Sequence, residues 1–318
     1  MSGPKIPIAR PIDPGLPVGD EVRRVLRDEM RLVVDACVAY PSWQVKARGI
    51  AVRRARKSLK RVRSILDLVR GAIDEDDHHA MRIAARDLGR ALSPLRDRDV
   101  VQSLLVRLAK DATTPRRREA IRLAEAVLAA AQPELAVRDH RAEEAVVADV
   151  GRRAAALLER IEIVDVSSVG RRHVLGRLER SWSRARTRFH DGFIDGDTAW
   201  LHETRKRVIR LQLALQPLVT LQERGVPKAI RRLKRVADAL GDDHDLAVLA
   251  DLVDMHAARF GDEAIVARIR REIDRRRETL QRKALRRGLP ALERTPAKTR
   301  ARLRRWWTEA ATPAAEDD

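Results

Sequence analysis

An all-α fold is predicted by three features of this 318-residue chain. Aromatic residues make up only 3%, and glycine and proline are scarce outside a few punctuation points, while alanine, aliphatic and long charged residues dominate; that is the profile of helices rather than sheets. Apolar residues recur at three- and four-residue spacings over most of the length, which gives a helix one buried stripe. The helical segments also come in two series. Aligning Arg53–Lys57 with His202–Lys206 brings Leu92–Asp97 opposite Leu240–Asp245, with one residue of slippage, and an internal repeat of that length marks a duplicated helical unit. The chain can hold two ordinary domains or one domain of two fused halves. Duplication favours fused halves, whose equivalent faces would oppose each other across a pseudo-twofold axis and line a shared space.

Residues 1–19 carry five prolines and no helical period, so they read as an extended arm able to lie across the folded body. Helices are then expected at 20–40, 47–71, 76–92, 95–111, 115–131 and 134–163, which make the first half, 20–163. In the second of these, Val52, Ala55, Leu59, Val62, Leu66 and Val69 follow a 3-4-3-4-3 spacing and bury. Arg53, Arg56, Lys57, Lys60 and Arg63 fall on the adjoining face, and no acidic residue stands between Lys46 and Leu66. Crowded like charges are unfavourable within a helix, so a ligand that supplies negative charge explains this face best. The stretch Val164–Gly170 is β-branched and small, and it reads as the junction, with Ser167 or Ser168 suited to cap the next helix. The second half, 164–311, is expected to hold helices at 167–192, 196–222, 226–240, 243–259, 262–288 and 296–310, with a break at Gly241-Asp242. Its copy of the basic helix has Leu201, Thr204, Val208, Leu211 and Leu215 inward, with His202, Arg205 and Lys206 beside them. Ile209 and Gln212 replace Lys60 and Arg63 there, so the first half is expected to contribute more binding energy. Residues 312–318 end Glu316-Asp317-Asp318 and read as a disordered acidic tail.

Sixty-six basic residues against forty-seven acidic ones give a net charge of +19, which favours a polyanion: nucleic acid, anionic membrane or polyphosphate. Arg177, Arg184 and Arg188, at spacings of seven and four, and the patch of Arg282, Lys283, Arg286 and Arg287 are candidate walls, although such runs are also common on plain surfaces. The single Cys37 excludes an internal disulfide, no apolar run approaches a membrane span, and the start Met1-Ser2-Gly3-Pro4 lacks an apolar secretory segment; a reducing cytoplasm and no membrane partner are expected. His202 and His244 stand where the first copy has Arg53 and Arg96. Arginine and histidine can both donate hydrogen bonds to an anion, whereas arginine is a poor metal ligand, so the exchange points to anion contact rather than metal chemistry. Asp245, next to His244, and Asp97 can alternatively serve as helix caps. No nucleophile–base pair, glycine-rich phosphate loop or paired carboxylates stand out. His244-Asp245 is the nearest hint of a metal-dependent phosphohydrolase, and the arginine-rich surroundings work against a cation. No cofactor and no metal are expected.

Val52–Arg63 (VRRARKSLKRVR), Leu92–Val100 (LSPLRDRDV), Leu201–Val208 (LHETRKRV), Leu233–Leu249 (LKRVADALGDDHDLAVL) and the end from Arg282 to Trp306-Trp307 together resemble the CHAD family, an alpha-helical domain named for its characteristic histidines. The resemblance runs from about Val22 to Trp307. It implies two four-helix bundles around a basic central channel, and non-catalytic binding of inorganic polyphosphate, often at polyphosphate granules. The residues it implies are Arg56, Lys57, Lys60, Arg61 and Arg63 in the first motif, His202, Arg205, Lys206 and Arg210 in the second, and His244; Arg96, at the duplicated position of His244, and Lys234 are further candidates for anion contact. Arg53 departs from the histidine usual in the first motif, and Ile209 and Gln212 from basic residues in the second. A nucleic-acid module is the alternative, since any basic groove binds nucleic acid nonspecifically, but the five tryptophans and one tyrosine are not interleaved with the basic face as stacking platforms would be.

Overall fold

The computed structural model describes residues 9–95, 105, 108, 114–131, 140–195, 198–222 and 225–312. Among them it contains helices and no strand. Arm residues 9–17 lead into α1 (Val18–Ala39). Ile12 is fully buried; its N–H donates to the Pro217 carbonyl at 2.8 Å, and Thr220 Oγ1 donates to its carbonyl at 2.7 Å. The Arg24 guanidinium holds the arm from below, donating to the carbonyls of Arg10 and Pro11 while paired with Glu21. The expected extended segment thus lies against the body over its described part.

α2 (Val45–Val69) and α3 (Glu75–Ala91) are joined by a turn in which Gly71 takes a φ of 80°, a conformation that glycine adopts without steric cost. The Asp74 side chain caps α3 by accepting from the N–H groups of Asp76 and Asp77. α4 (Pro115–Ala131) and α5 (His140–Ile163) complete the first series. The second comprises α6 (Arg171–Asp195), α7 (Thr198–Ala214), a 3-10 segment Gln216–Leu221, α8 (Gly225–Met255), α9 (Glu263–Leu292) and α10 (Pro296–Ala311). Asp262 and Thr295 cap α9 and α10 through side-chain oxygens.

Two local expectations need correction. The break at Gly241 does not form, and α8 runs through it. The buried stripe Leu233, Val236, Leu240, Ala247, Ala250 is continuous across the glycine, which outweighs the ~1 kcal/mol helix cost of glycine. A Cβ there would stand 3.3 Å from Arg205 Nε, so Gly241 serves close approach of that guanidinium, and His244 and Asp245 lie mid-helix rather than at a cap. Likewise Ser167 sits in a turn in which its N–H donates to Asp165 Oδ1, and α6 begins beyond Gly170, whose carbonyl accepts from His173 and Val174. The expected helix 95–111, Asp97 and the acidic tail beyond Thr312 lie outside the described residues, apart from Leu95, Leu105 and Leu108.

One apolar core runs from Ile12 to Trp307 and draws on both series. A second joins α4 through Ala120, Ile121, Ala124 and Leu128 to Leu246, Leu249 and Val253 of α8 and Ile269, Ile273 and Leu280 of α9. The segment 115–131, assigned to the first half by sequence, therefore packs on the second.

Candidate anion site

Helical phase decides which cations meet. On α2, Leu59, Val62, Leu66 and Val69 bury, which leaves Arg63, Asp67 and Arg70 on one edge. On α7, Leu201, Thr204, Val208 and Leu211 bury and leave Arg207 and Arg210; on α6, Val174, Leu178, Ala185 and Phe189 bury and leave Arg177, Arg180 and Arg184. These edges, with Arg82 of α3, enclose a cleft of about 670 Å³ including its open mouth, lined by seven arginines: Arg70, Arg82, Arg177, Arg180, Arg184, Arg207 and Arg210. Asp67 is the single carboxylate in its wall. Its Oδ1 accepts from Arg82 Nε at 2.9 Å, and its backbone carbonyl accepts from Arg177 Nε at 2.9 Å. Arg70 reaches Glu75 at 3.2 Å. Among the described residues, Arg180, Arg184, Arg207 and Arg210 form no salt bridge.

Electrostatics agree with an unmet need for negative charge. Burial first, and the neighbouring Arg210 and Arg82 next, hold the Arg63 pKa below its ordinary value; its Nε is buried without a hydrogen-bond partner. Burial followed by Arg180 acts the same way on Arg177, and burial is the chief cause at Arg210. Arginine stays protonated regardless, so the crowding raises the energy of the empty cleft and lowers on anion binding.

Of the expected residues, the cleft gathers Arg177, Arg184 and Arg210; Arg63 does not line it, but feels the charges of Arg210 and Arg82 in its wall. Arg61 lies elsewhere, in the wall of a second cavity with Lys57: its guanidinium meets Glu29 at 3.1 Å and donates to Gln216 Oε1 at 2.7 Å. Arg53 and Lys60 are exposed on α2 and Arg56 is half-buried. Arg188 stacks 3.7 Å over the Trp200 ring. Lys206 pairs with Glu203, and Lys234 with Asp238. Arg282 and Arg286 are exposed on α9 and Lys283 is half-buried; none of the three lines the cleft. Arg96 is outside the described residues.

His202 and His244 do meet, with ring centroids 4.1 Å apart and planes 38° from parallel. Burial first, then His244, Lys206 and Arg205, push the His202 pKa down to about 4, and its Nδ1 is buried without a hydrogen-bond partner. Burial and Arg205 lower His244 as well, against Asp245 and Asp243. Asp243 is buried and accepts from Arg277 and Gln281 of α9, which anchors this end of α8.

Sequence reasoning missed Arg70, Arg82, Arg180 and Arg207. Arg180 was detectable, since 177, 180 and 184 share one helical face at spacings of three and four. Arg82 was hidden among the acidic residues of α3.

The CHAD domain family model matches residues 34–254 of the sequence. The chain belongs to the CHAD family. Among solved structures, this CHAD chain is similar to PptA from Streptomyces chartreusis, at a TM-score of 0.51 and 17% identity, over 84% of this chain and 99% of that one. It is also similar to the CHAD domain from the plant Ricinus communis, at 0.52 and 18%, over 93% and 94%. At such identities these likenesses speak for the fold alone. No curated protein matches the sequence. Among the described residues of the CHAD chain no group of three or more histidine, cysteine or acidic side chains is placed to hold a metal ion, and no helix is long and apolar enough to cross a membrane.

Proposed function

We propose that this CHAD chain binds inorganic polyphosphate, without turning it over, in the cleft between α2 and α3 on one side and α6 and α7 on the other. The observation that supports the reading is the convergence of seven arginines from four helices on a space with one carboxylate, itself held by Arg82. Arginine forks suit phosphate oxygens, and several of them in a row suit a polymer with one charge per repeat. The duplication accounts for cations on both sides of the cleft, since helices α2 and α7 carry the repeated basic motif. Arg61, Lys57 and the His202–His244 pair stand outside the cleft, and a long chain leaving it would pass over the exposed cations of α2, Arg53 and Lys60.

Competition tests ligand identity. Labelled duplex DNA bound at physiological salt is displaced by long polyphosphate at a lower phosphate concentration than by unlabelled DNA of equal charge. Failure of polyphosphate to displace it would assign the cleft to nucleic acid. Incubating polyphosphate with the protein and divalent metal leaves the chain length unchanged; sustained phosphate release abolished by His244→Ala would make the protein a phosphohydrolase. Association with polyphosphate granules follows from the same affinity.

A further inference from the structure

The cavity that holds Arg61 is about 1120 Å³ including its mouth and lies between α1, α2, the segment Gln216–Leu221 and the start of α8, with Ala9, Arg10 and Pro11 of the arm on its rim. The repeat alignment relates it to the arginine cleft. Asp67 of the cleft corresponds to Gln216 of the cavity, Arg70 to Val219 and, counting the one-residue slip, Arg82 to Ile230. At each of these positions a charged side chain has been replaced by a neutral one. The cation that corresponds to Arg210 is Arg61, and it is neutralised by Glu29, which is 2% exposed.

The outcome is an apolar space with cations at its edge. Leu213, Val219, Ile230 and Ile65 form walls, while Arg10, Lys57 and Arg231 line the same opening. All three of these cations are exposed, and among the described residues none forms a salt bridge. Lys57 is pushed to a lower pKa by partial burial first and by Arg61 and Lys234 next, with Glu29 and Asp238 opposing the shift. A polymer of bare phosphates gains nothing from such walls, and a neutral apolar ligand leaves the rim unmet. A molecule with an apolar tail and an anionic head satisfies both.

We propose that this second cavity binds an amphipathic anion, a single acyl or alkyl chain bearing a carboxylate or phosphate head, with the tail against Val219 and Ile230 and the head at Lys57 and Arg231. The proposal does not depend on the polyphosphate reading of the cleft.

Calorimetry on the full chain, with probes below their micellar concentrations, tests it. Dodecyl phosphate and dodecanoate should bind saturably at one per chain, and the tighter of the two names the head group. Inorganic phosphate and uncharged dodecyl maltoside should each bind at least about tenfold more weakly, because each lacks half of the recognition. Arg231→Gln should weaken dodecyl phosphate about tenfold, and Val219→Trp, which fills the space, should abolish binding with the thermal midpoint retained. Arg177→Gln with Arg184→Gln, in the cleft, should leave it unchanged, so failure here and failure of the cleft reading are distinguishable. Absence of saturable binding by either probe, or binding that survives both cavity variants, overturns the assignment. Dissociation of a dimer as the probe binds would give the cavity to a second copy of the chain and overturn it equally.

Discussion

Arg61 shows how a basic motif divides its labour between ligand and fold. Its guanidinium meets a carboxylate that is 2% exposed, Glu29, on another helix. Truncating it strands a buried charge, so Arg61→Met should cost about 3–5 kcal/mol of stability, with most of the loss recovered when Glu29→Leu is added; denaturant unfolding of the two variants decides. The motif itself was legible in the spacing of α2, but this partner was not, because Glu29 lies in a different helix and nothing local to Arg61 points to it. His202 carries a second prediction. Its folded pKa of about 4 lies below the ordinary 6.5 because of burial, with His244, Lys206 and Arg205 adding to the depression and Glu203 opposing it. The unfolded chain takes up this proton below about pH 6.5 and the folded chain only near pH 4, so the contribution is fully present above pH 6.5 and is lost as pH falls to 4. The thermal midpoint of His202→Gln should therefore drop less than that of the parent between pH 7 and pH 4, and parallel curves would contradict the burial argument.

At the level of helices, the apolar period located most elements, and the misreading at Gly241 has a physical cause. A glycine followed by two aspartates looks like a C-terminus when only the backbone is considered; here the absent side chain makes room for Arg205 from α7, information held in a distant segment. Gly19 is a similar case: a Cβ would come within 2.2 Å of the Val166 carbonyl oxygen. Backbone cannot yield as a flexible side chain does, so Gly19→Ala should destabilise by about 1–3 kcal/mol or more, read as a lowered denaturant midpoint. The placement of α4 was the larger surprise. Its amphipathic pattern said that one face buries, not against what, and the face meets α8 and α9 through Ile121, Leu249 and Ile273. Ile121→Ala should cost about 2–5 kcal/mol and speed hydrogen exchange in 246–255 and 265–280 while α1 and α2 keep their protection. Uniform deprotection of all helices would show the two cores to be one cooperative unit.

For the molecule as a whole, the net charge of +19 raised the expectation of an anionic ligand, and the duplicated basic helices suggested where it would lie. What the sequence left open was which edge of each helix turns inward. The cleft is built from Arg177, Arg180, Arg184, Arg207 and Arg210, together with Arg70 at the C-terminal end of α2 and Arg82, which the acidic residues of α3 disguised, while exposed Arg282 and Arg286 stay outside it. A site of this kind releases counterions on binding, so affinity should fall steeply and linearly on a log–log salt plot, and removing Arg177 and Arg184 together should reduce the slope by roughly two. The most direct test is calorimetric titration of long polyphosphate and of tripolyphosphate at two salt concentrations, on the parent chain and on Arg177→Glu with Arg184→Glu. A polymer spanning the arginine row should bind the parent at least about tenfold more tightly than the trimer, with that advantage gone in the variant. Equal affinity for the two lengths, or a variant that binds long chains as the parent does, would contradict the cleft as the polyphosphate site.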